Sequence, residues 1–274
     1  MNAASGHASR APDRWFKSYI FDLDGTIYLG DKLLPGAAEM IAALKQQQAD
    51  ILFLTNKPLE LPADYAAKLT KLGIPTAPNQ VLTATDSLLY YLSRHAANSK
   101  IYVIGEPLLV ELLKNSGYSV SDQPEEIELV VVSFDRTFDY AKLQIAFDAV
   151  RSGARIVATN PDAYCPVPGG GLPDCAAMLA ALEACTSGKA EAIVGKPSKH
   201  MTDALMNRLG VSSFADTLLV GDRLATDIRM ALAAGMSGGL ILTGATTRHE
   251  AEQSTHRPHY ILNNLLELIP ASHH

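Results

Sequence analysis

Asp22 and Asp24 close the apolar run Tyr19-Ile20-Phe21-Asp22-Leu23-Asp24-Gly25-Thr26, two residues apart. If the run is a strand, alternation sends both carboxylates to one side. Two like charges held so close call for a cation, because a buried unpaired carboxylate is costly and a divalent metal offsets it. The competing reading makes Asp24-Gly25 a hairpin turn. The same arrangement recurs along the chain: Thr55-Asn56-Lys57, Lys196 and Asp222 each follow an apolar run, and Asp227 lies five residues beyond Asp222. Carboxylates can act as nucleophile, acid/base and metal ligand, while a hydroxyl and an ammonium hold phosphate oxygens, so these types make a phosphoryl-transfer set. Singly, Thr55-Asn56 reads as a helix cap, Lys196 as a solvated lysine and Asp222 as a turn residue. Their occurrence together, in this order, is poorly explained by independent accidents.

Strands must carry them. The pattern predicts strands at 15–22, 50–55, 80–83, 100–105, 129–132, 155–158, 192–195, 217–221, 239–243 and 259–262. Helices are predicted from Pro35-Gly36 to Leu44, 61–72, 86–95 and 107–115, and from an Asp139 cap through Arg151. Further helices run from a Ser198 cap to Gly210, from just after Asp227 to Ala234 with Gly235 beyond its end, and over 263–269. Asp50-Ile51-Leu52-Phe53-Leu54-Thr55 is apolar on both faces, as in a parallel sheet covered by helices. In such sheets ligands bind at the carboxyl ends of the strands, where Asp22, Asp24, Thr55, Lys196, Asp222 and Asp227 all fall. The stretch Thr159 to Gly171 is too dense in Pro and Gly for either regular element. It reads as a binding loop or, more plainly, as a linker.

The 274 residues are 47% hydrophobic and 19% charged, enough for a substantial core in one large domain or two smaller ones. A net charge of -6 without a basic run argues against a nucleic-acid-binding face. The cysteines, Cys165, Cys175 and Cys185, are odd in number and lack Cys-x-x-Cys spacing, so neither a disulfide framework nor a zinc site is indicated. The first dozen residues lack the apolar core of a signal peptide, and no apolar run is long enough to span a bilayer. A reducing, cytoplasmic setting without membrane contact is expected. The eight histidines form no ligand-spaced pair, and His273-His274 closes the chain.

Asp22-Leu23-Asp24-Gly25-Thr26, Leu54-Thr55-Asn56, Gly195-Lys196-Pro197 and Gly221-Asp222-Arg223-Leu224-Ala225-Thr226-Asp227 resemble, as an ordered set, the four motifs of the haloacid dehalogenase (HAD) superfamily. The resemblance covers the chain from about Phe16 to Leu268. The unit inserted between the second and third motifs, carrying Phe134-Asp135-Arg136 and Thr159-Asn160-Pro161-Asp162, resembles subclass IIA, the NagD-like and 4-nitrophenylphosphatase-like branch. The resemblance implies an α/β protein with a Rossmann-like core, its mostly parallel sheet covered by helices, plus an inserted α/β cap. The core would span 15–83 and 189–270, and the cap 84–188. A magnesium-dependent phosphatase of small phosphorylated metabolites is implied.

By the same resemblance, Asp22 attacks phosphorus to give an aspartyl-phosphate, and Mg²⁺ is held by Asp22, Asp222 and the backbone carbonyl of Asp24. Asp24 protonates the leaving alcohol and then activates water. Thr55 and Lys196 hold the phosphoryl oxygens, and Asn56 contributes to the phosphate cradle. Asp227 orients a metal-bound water or Lys196. Lys57 stands where the subclass often has a second Asn; it contacts an anionic part of the substrate, docks the cap, or is an exposed strand-end lysine. Substrate choice is expected in the cap, at Asn160 to Leu172 and more weakly at Asp135 and Arg136. Caps of this branch often take part in dimers, so a homodimer is compatible with the resemblance, though no apolar stripe identifies an interface. A dehalogenase has no need of Asp24 or Asp222. A phosphomutase sharing the aspartyl-phosphate and a phospho-ligand-binding module both remain compatible with the motifs. The substrate stays open among sugar phosphates, phosphoglycolate, nucleoside monophosphates and pyridoxal phosphate.

Overall fold

The computed structural model describes residues 11–167 and 170–270. The first ten residues, Pro168, Gly169 and the His273-His274 pair, on which parts of the sequence reading fall, lie outside them. In chain order the strands are β1 Ser18–Asp22, β2 Tyr28–Leu29, β3 Lys32–Leu33, β4 Asp50–Thr55, β5 Val81–Thr83, β6 Ile101–Ile104 and β7 Leu129–Val132. They continue as β8 Arg155–Ala158, β9 Tyr164–Val167, β10 Gly170–Pro173, β11 Ala190–Ile193, β12 Thr217–Gly221, β13 Ser237–Ile241 and β14 Tyr260–Leu262.

Two compact units result, each an α/β layer. One holds the chain up to Thr55, Pro62–Leu82 and the chain from Leu209; the other holds Asn56–Leu61 and Thr83–Arg208. The first is built on a six-stranded sheet, β14-β13-β12-β1-β4-β5. The register is parallel from β4 through β1, β12 and β13 to β14. All five residues of β1 are buried, as expected of a central strand covered on both faces. Tyr19, Phe21, Phe53 and Leu218 join one apolar cluster with Met40, Ile41 and Leu44 of the helix Ala37–Gln46. The second unit is built on the all-parallel sheet β11-β8-β7-β6. Its first helix, Ala84–His95, begins on a reciprocal cap: Asp86 N–H donates to Thr83 Oγ1 at 3.3 Å and Thr83 N–H to Asp86 Oδ2 at 2.8 Å. Asp139 caps Tyr140–Arg151, accepting from Lys142 N–H at 2.8 Å.

Several sequence expectations are corrected. Thr159 to Gly171 is not free of regular structure: β9 and β10 pair antiparallel as a hairpin, with Pro166 opposite Gly171. A Pro is tolerated because a two-stranded ribbon has open edges on which the missing N–H is not needed. Gly171 lets the exposed Tyr164 ring lie close to the ribbon, since a Cβ there would meet Tyr164 Cδ2 at 2.7 Å. The sequence pattern predicts no helix at Cys175–Cys185; its exposed side is filled largely by Ala, which flattens the apolar contrast, although Cys175, Met178, Leu179 and Leu182 are buried at helical spacing. Strand β1 starts at Ser18 and ends at Asp22, so Asp24 lies past the strand and alternation does not govern its direction. Asp24-Gly25 is not a hairpin turn either; the hairpin here is β2–β3, paired Tyr28 to Leu33. The expected helix over 263–269 is a short 3₁₀ turn, Leu265–Leu268.

Candidate active site

In the first unit, sheet order brings the acidic residues together. The register sets Phe21 beside Val220 in the parallel pair β1–β12, so Asp22 ends its strand level with Gly221, and Asp222 follows one step later. Asp227 returns to the same place because the chain after Arg223 makes one wide π-helical turn, Leu224–Ile228. The carboxylates of Asp22, Asp222 and Asp227, all buried, present oxygens within 4.8 Å of one another. Charged together, each pair at that spacing repels by about 3 kcal/mol at an effective dielectric near 20. A donor set of buried carboxylates alone is hard and anionic, and it fits a small divalent cation such as Mg²⁺. Thr55 ends the neighbouring strand β4 and is buried, its register placing Leu54 beside Asp22. Asp24 is half-buried on the turn that follows β1, where Gly25 N–H donates to Tyr28 carbonyl at 2.8 Å.

Glycines make room for these carboxylates. A Cβ at Gly244 would lie 2.1 Å from Asp222 Oδ2, one at Gly25 2.6 Å from the same oxygen, and one at Gly221 2.2 Å from Asp227 Cγ. Gly25 also has φ +85, a backbone conformation that side chains disfavour. Ala245 N–H donates to Asp222 Oδ2 at 2.7 Å, Arg223 N–H to Asp227 Oδ2 at 3.1 Å, and Thr243 Oγ1 to the Gly25 carbonyl at 2.7 Å. The segment Thr243-Gly244-Ala245 was missed by sequence reasoning. Its signal was the one used elsewhere, small and polar residues just past an apolar strand, here β13.

In the second unit Asn56, Asn160 and Lys196 share one network of hydrogen bonds. Asn56 Oδ1 accepts from Lys196 N–H at 2.8 Å, while Asn56 Nδ2 donates to Lys196 carbonyl at 3.2 Å and to Asp162 Oδ2 at 3.0 Å. Asn160 Nδ2 donates to the Asn56 carbonyl at 3.2 Å. Gly195 permits this approach, since a Cβ there would meet Thr159 carbonyl oxygen at 2.5 Å and Asn56 Oδ1 at 2.8 Å. The Lys196–Pro197 peptide is cis. Lys57 is half-buried, and its charge is felt at Asp174. Burial pushes the Asp174 carboxyl up to about 6, the amide of Cys175 opposing and the neighbouring Asp162 reinforcing the rise. Asp162 falls in the stretch expected to select substrate, whereas Asp174 carried no sequence signal. Asp135 is fully buried against Lys142 Nζ at 2.6 Å and Thr137 Oγ1 at 2.7 Å, and Arg136 pairs with Glu106. With Phe138, Leu172 and Met178 they line a cavity of about 400 Å³.

Comparison with known proteins agrees with this architecture. Two family models match, a haloacid dehalogenase-like hydrolase over residues 19–119 and a HAD-hydrolase-like family over residues 193–268. Sugar-phosphatase AraL of Bacillus subtilis is 34% identical over 91% of this chain and 90% of its own. The crystal structure of 4-nitrophenylphosphatase from Thermotoga maritima superposes with a TM-score of 0.87 at 33% identity, covering 92% of this chain and 96% of the other. NagD from E. coli K-12 gives 0.83 at 28%, covering 92% and 98%. The chain therefore belongs to the haloacid dehalogenase-like hydrolases, in subclass IIA, and is an enzyme of that family. No helix among the described residues is long and apolar enough to cross a membrane.

Proposed function

We propose that the protein is a magnesium-dependent phosphatase that hydrolyses a small phosphate monoester, of the sugar-phosphate kind, through an aspartyl-phosphate on Asp22. The observation carrying this reading is the buried cluster of Asp22, Asp222 and Asp227 at the carboxyl ends of parallel strands. Asp22, Asp222 and the backbone carbonyl of Asp24 would hold Mg²⁺, which offsets the negative charge shared by carboxylate and phosphate. A carboxylate oxygen of Asp22 attacks phosphorus as the bond to the leaving alcohol breaks, and the Asp24 carboxylic acid gives that oxygen its proton. Asp24, now a carboxylate, takes a proton from water; the water oxygen attacks phosphorus and the bond to Asp22 breaks. Thr55 and Lys196 hold the phosphoryl oxygens against the spread charge of the transition state, with Asn56 fixing the lysine's backbone. Asp227, whose carboxylate accepts the Arg223 amide, orients its neighbours in the cluster.

We assign the six-stranded unit, with Lys196 and Asn56, to the chemistry on phosphate, and the rest of the four-stranded unit to substrate selection. The core residues grip only phosphate, so discrimination falls to the leaving group. The cavity lined by Arg136, Phe138, Leu172 and Met178 joins the two stretches expected to select substrate, and its apolar walls with one guanidinium suit a small polar organic group. A sugar phosphate agrees with the relative named above, and a cytoplasmic setting suits Cys165, Cys175 and Cys185, which are not joined in disulfides. The test is phosphate release from a panel of phosphorylated metabolites and 4-nitrophenyl phosphate, with Mg²⁺ or EDTA, in wild type and Asp22→Asn. Turnover that needs Mg²⁺ and vanishes in the variant is expected. Activity indifferent to Asp22, or a phosphorylated isomer in place of orthophosphate, would overturn the reading.

A further inference from the structure

The stem of the β9–β10 hairpin is held by buried polar side chains to which the reaction above gives no role. Asp174 directly follows β10, and Asn160 and Asp162 precede β9. Backbone bonds close the stem: Asp174 N–H donates to Ala163 carbonyl at 3.0 Å and Ala176 N–H to Asp162 carbonyl at 3.1 Å. Asp174 Oδ1 accepts from Cys175 N–H at 2.6 Å, capping the helix Cys175–Cys185, and from Asn160 Nδ2 at 3.4 Å. That same Asn160 nitrogen donates to the carbonyl of Asn56, whose side chain grips the N–H and C=O of Lys196. Asn160 Oδ1 is also engaged, accepting from Asp162 N–H at 2.9 Å. An amide nitrogen has two hydrogens in one plane, so a change at one partner re-aims the other.

We propose that Asp174 is a positioning residue which, through Asn160 and Asn56, sets the backbone pose of Lys196, so that the hairpin stem and the phosphate-binding lysine move as one piece. The proposal rests on the role given to Lys196 above. Asp174 is buried at 3% exposure, and the charged groups that face it are Asp162 ahead of β9 and Lys57 after β4, besides the Cys175 thiol on its own helix. Its carboxyl titrates near 6. Ionised, it is the stronger acceptor for Asn160 and Cys175; protonated, it loosens its hold on both. The clamp on Lys196 is therefore tightest above that pH.

Two measurements on the full chain test this. The first follows the amide proton and nitrogen resonance of Lys196 from pH 5 to 8 in wild type and Asp174→Asn. It should titrate with a midpoint near 6 in wild type and lose that step in the variant. The second compares steady-state hydrolysis of 4-nitrophenyl phosphate over the same range. The variant's kcat should be about tenfold lower above pH 7, converging on wild type near pH 5, with KM changed less than about threefold. A Lys196 resonance that does not move in wild type, or a kcat ratio constant with pH, overturns the proposal. The wild-type resonance needs no variant, so misfolding of Asp174→Asn leaves the test intact. If wild type hydrolyses no monoester, the phosphatase reading fails while the resonance still decides the coupling.

Discussion

Replacing Gly244 with alanine should disable the acidic cluster without replacing any reactive group. The new Cβ would sit 2.1 Å from Asp222 Oδ2 and 2.6 Å from its Cβ and Cγ, where ordinary contact needs roughly 3.4 Å. Relief cannot come from a flexible side-chain end, because the crowded atoms are the short stem of Asp222 itself. That stem follows the central strand β12 and is tethered by the Ala245 amide at 2.7 Å. The carboxylate or the 243–245 loop must therefore shift by about 1 Å, and a misplacement of that size costs about 100-fold in rate. The expected outcome is a drop in kcat of about 100-fold and a marked rise in the Mg²⁺ concentration for half-maximal activity, with an unchanged circular dichroism spectrum. The assay is 4-nitrophenyl phosphate hydrolysis titrated with MgCl₂. If both quantities stay within about threefold of wild type, the claim that Gly244 shapes Asp222 as a metal ligand is refuted.

Other outcomes follow from the second unit. Because Asp174 titrates at about 6 when folded against an ordinary 3.8, holding it charged opposes folding; the penalty is absent below pH 3.8, grows as pH rises and is complete above about 6. Wild type should thus lose about 2 kcal/mol of stability relative to Asp174→Asn between pH 4 and 7, read from urea unfolding; a pH-independent difference would refute the buried carboxylate as its source. Lys57→Ala should alter the substrate-preference profile across a monoester panel, and an unchanged profile would leave Lys57 without a part in selection. Exchanging Tyr164–Pro173 for another hairpin should re-rank substrates, whereas equal loss for every substrate would count against a selective role.

Much of the fold could be read directly because its signals are local. Apolar runs such as Leu129–Val132 and Thr217–Gly221 need only their own residues to be recognised as covered strands, and Asp139 announces a helix by its own cap. The hairpin was hidden because Pro and Gly density says nothing about a partner strand, and the helix after it because Ala blurs the boundary between its faces.

For the site, the sequence alone singled out the candidates: Asp22, Asp24, Thr55, Lys196, Asp222 and Asp227 are reactive types placed at or just past strand ends. Only the tertiary structure decided what surrounds them. The β1–β12 register sets residues 199 positions apart side by side, and with them come Gly25 and Gly244 against Asp222. The Asn56 grip on Lys196 spans 140 positions. Such contacts are made by sheet order and by the absence of a Cβ, and neither leaves a periodic trace in the chain. The motif residues stand out because their chemistry is in their side chains; their supports act through backbone and empty space.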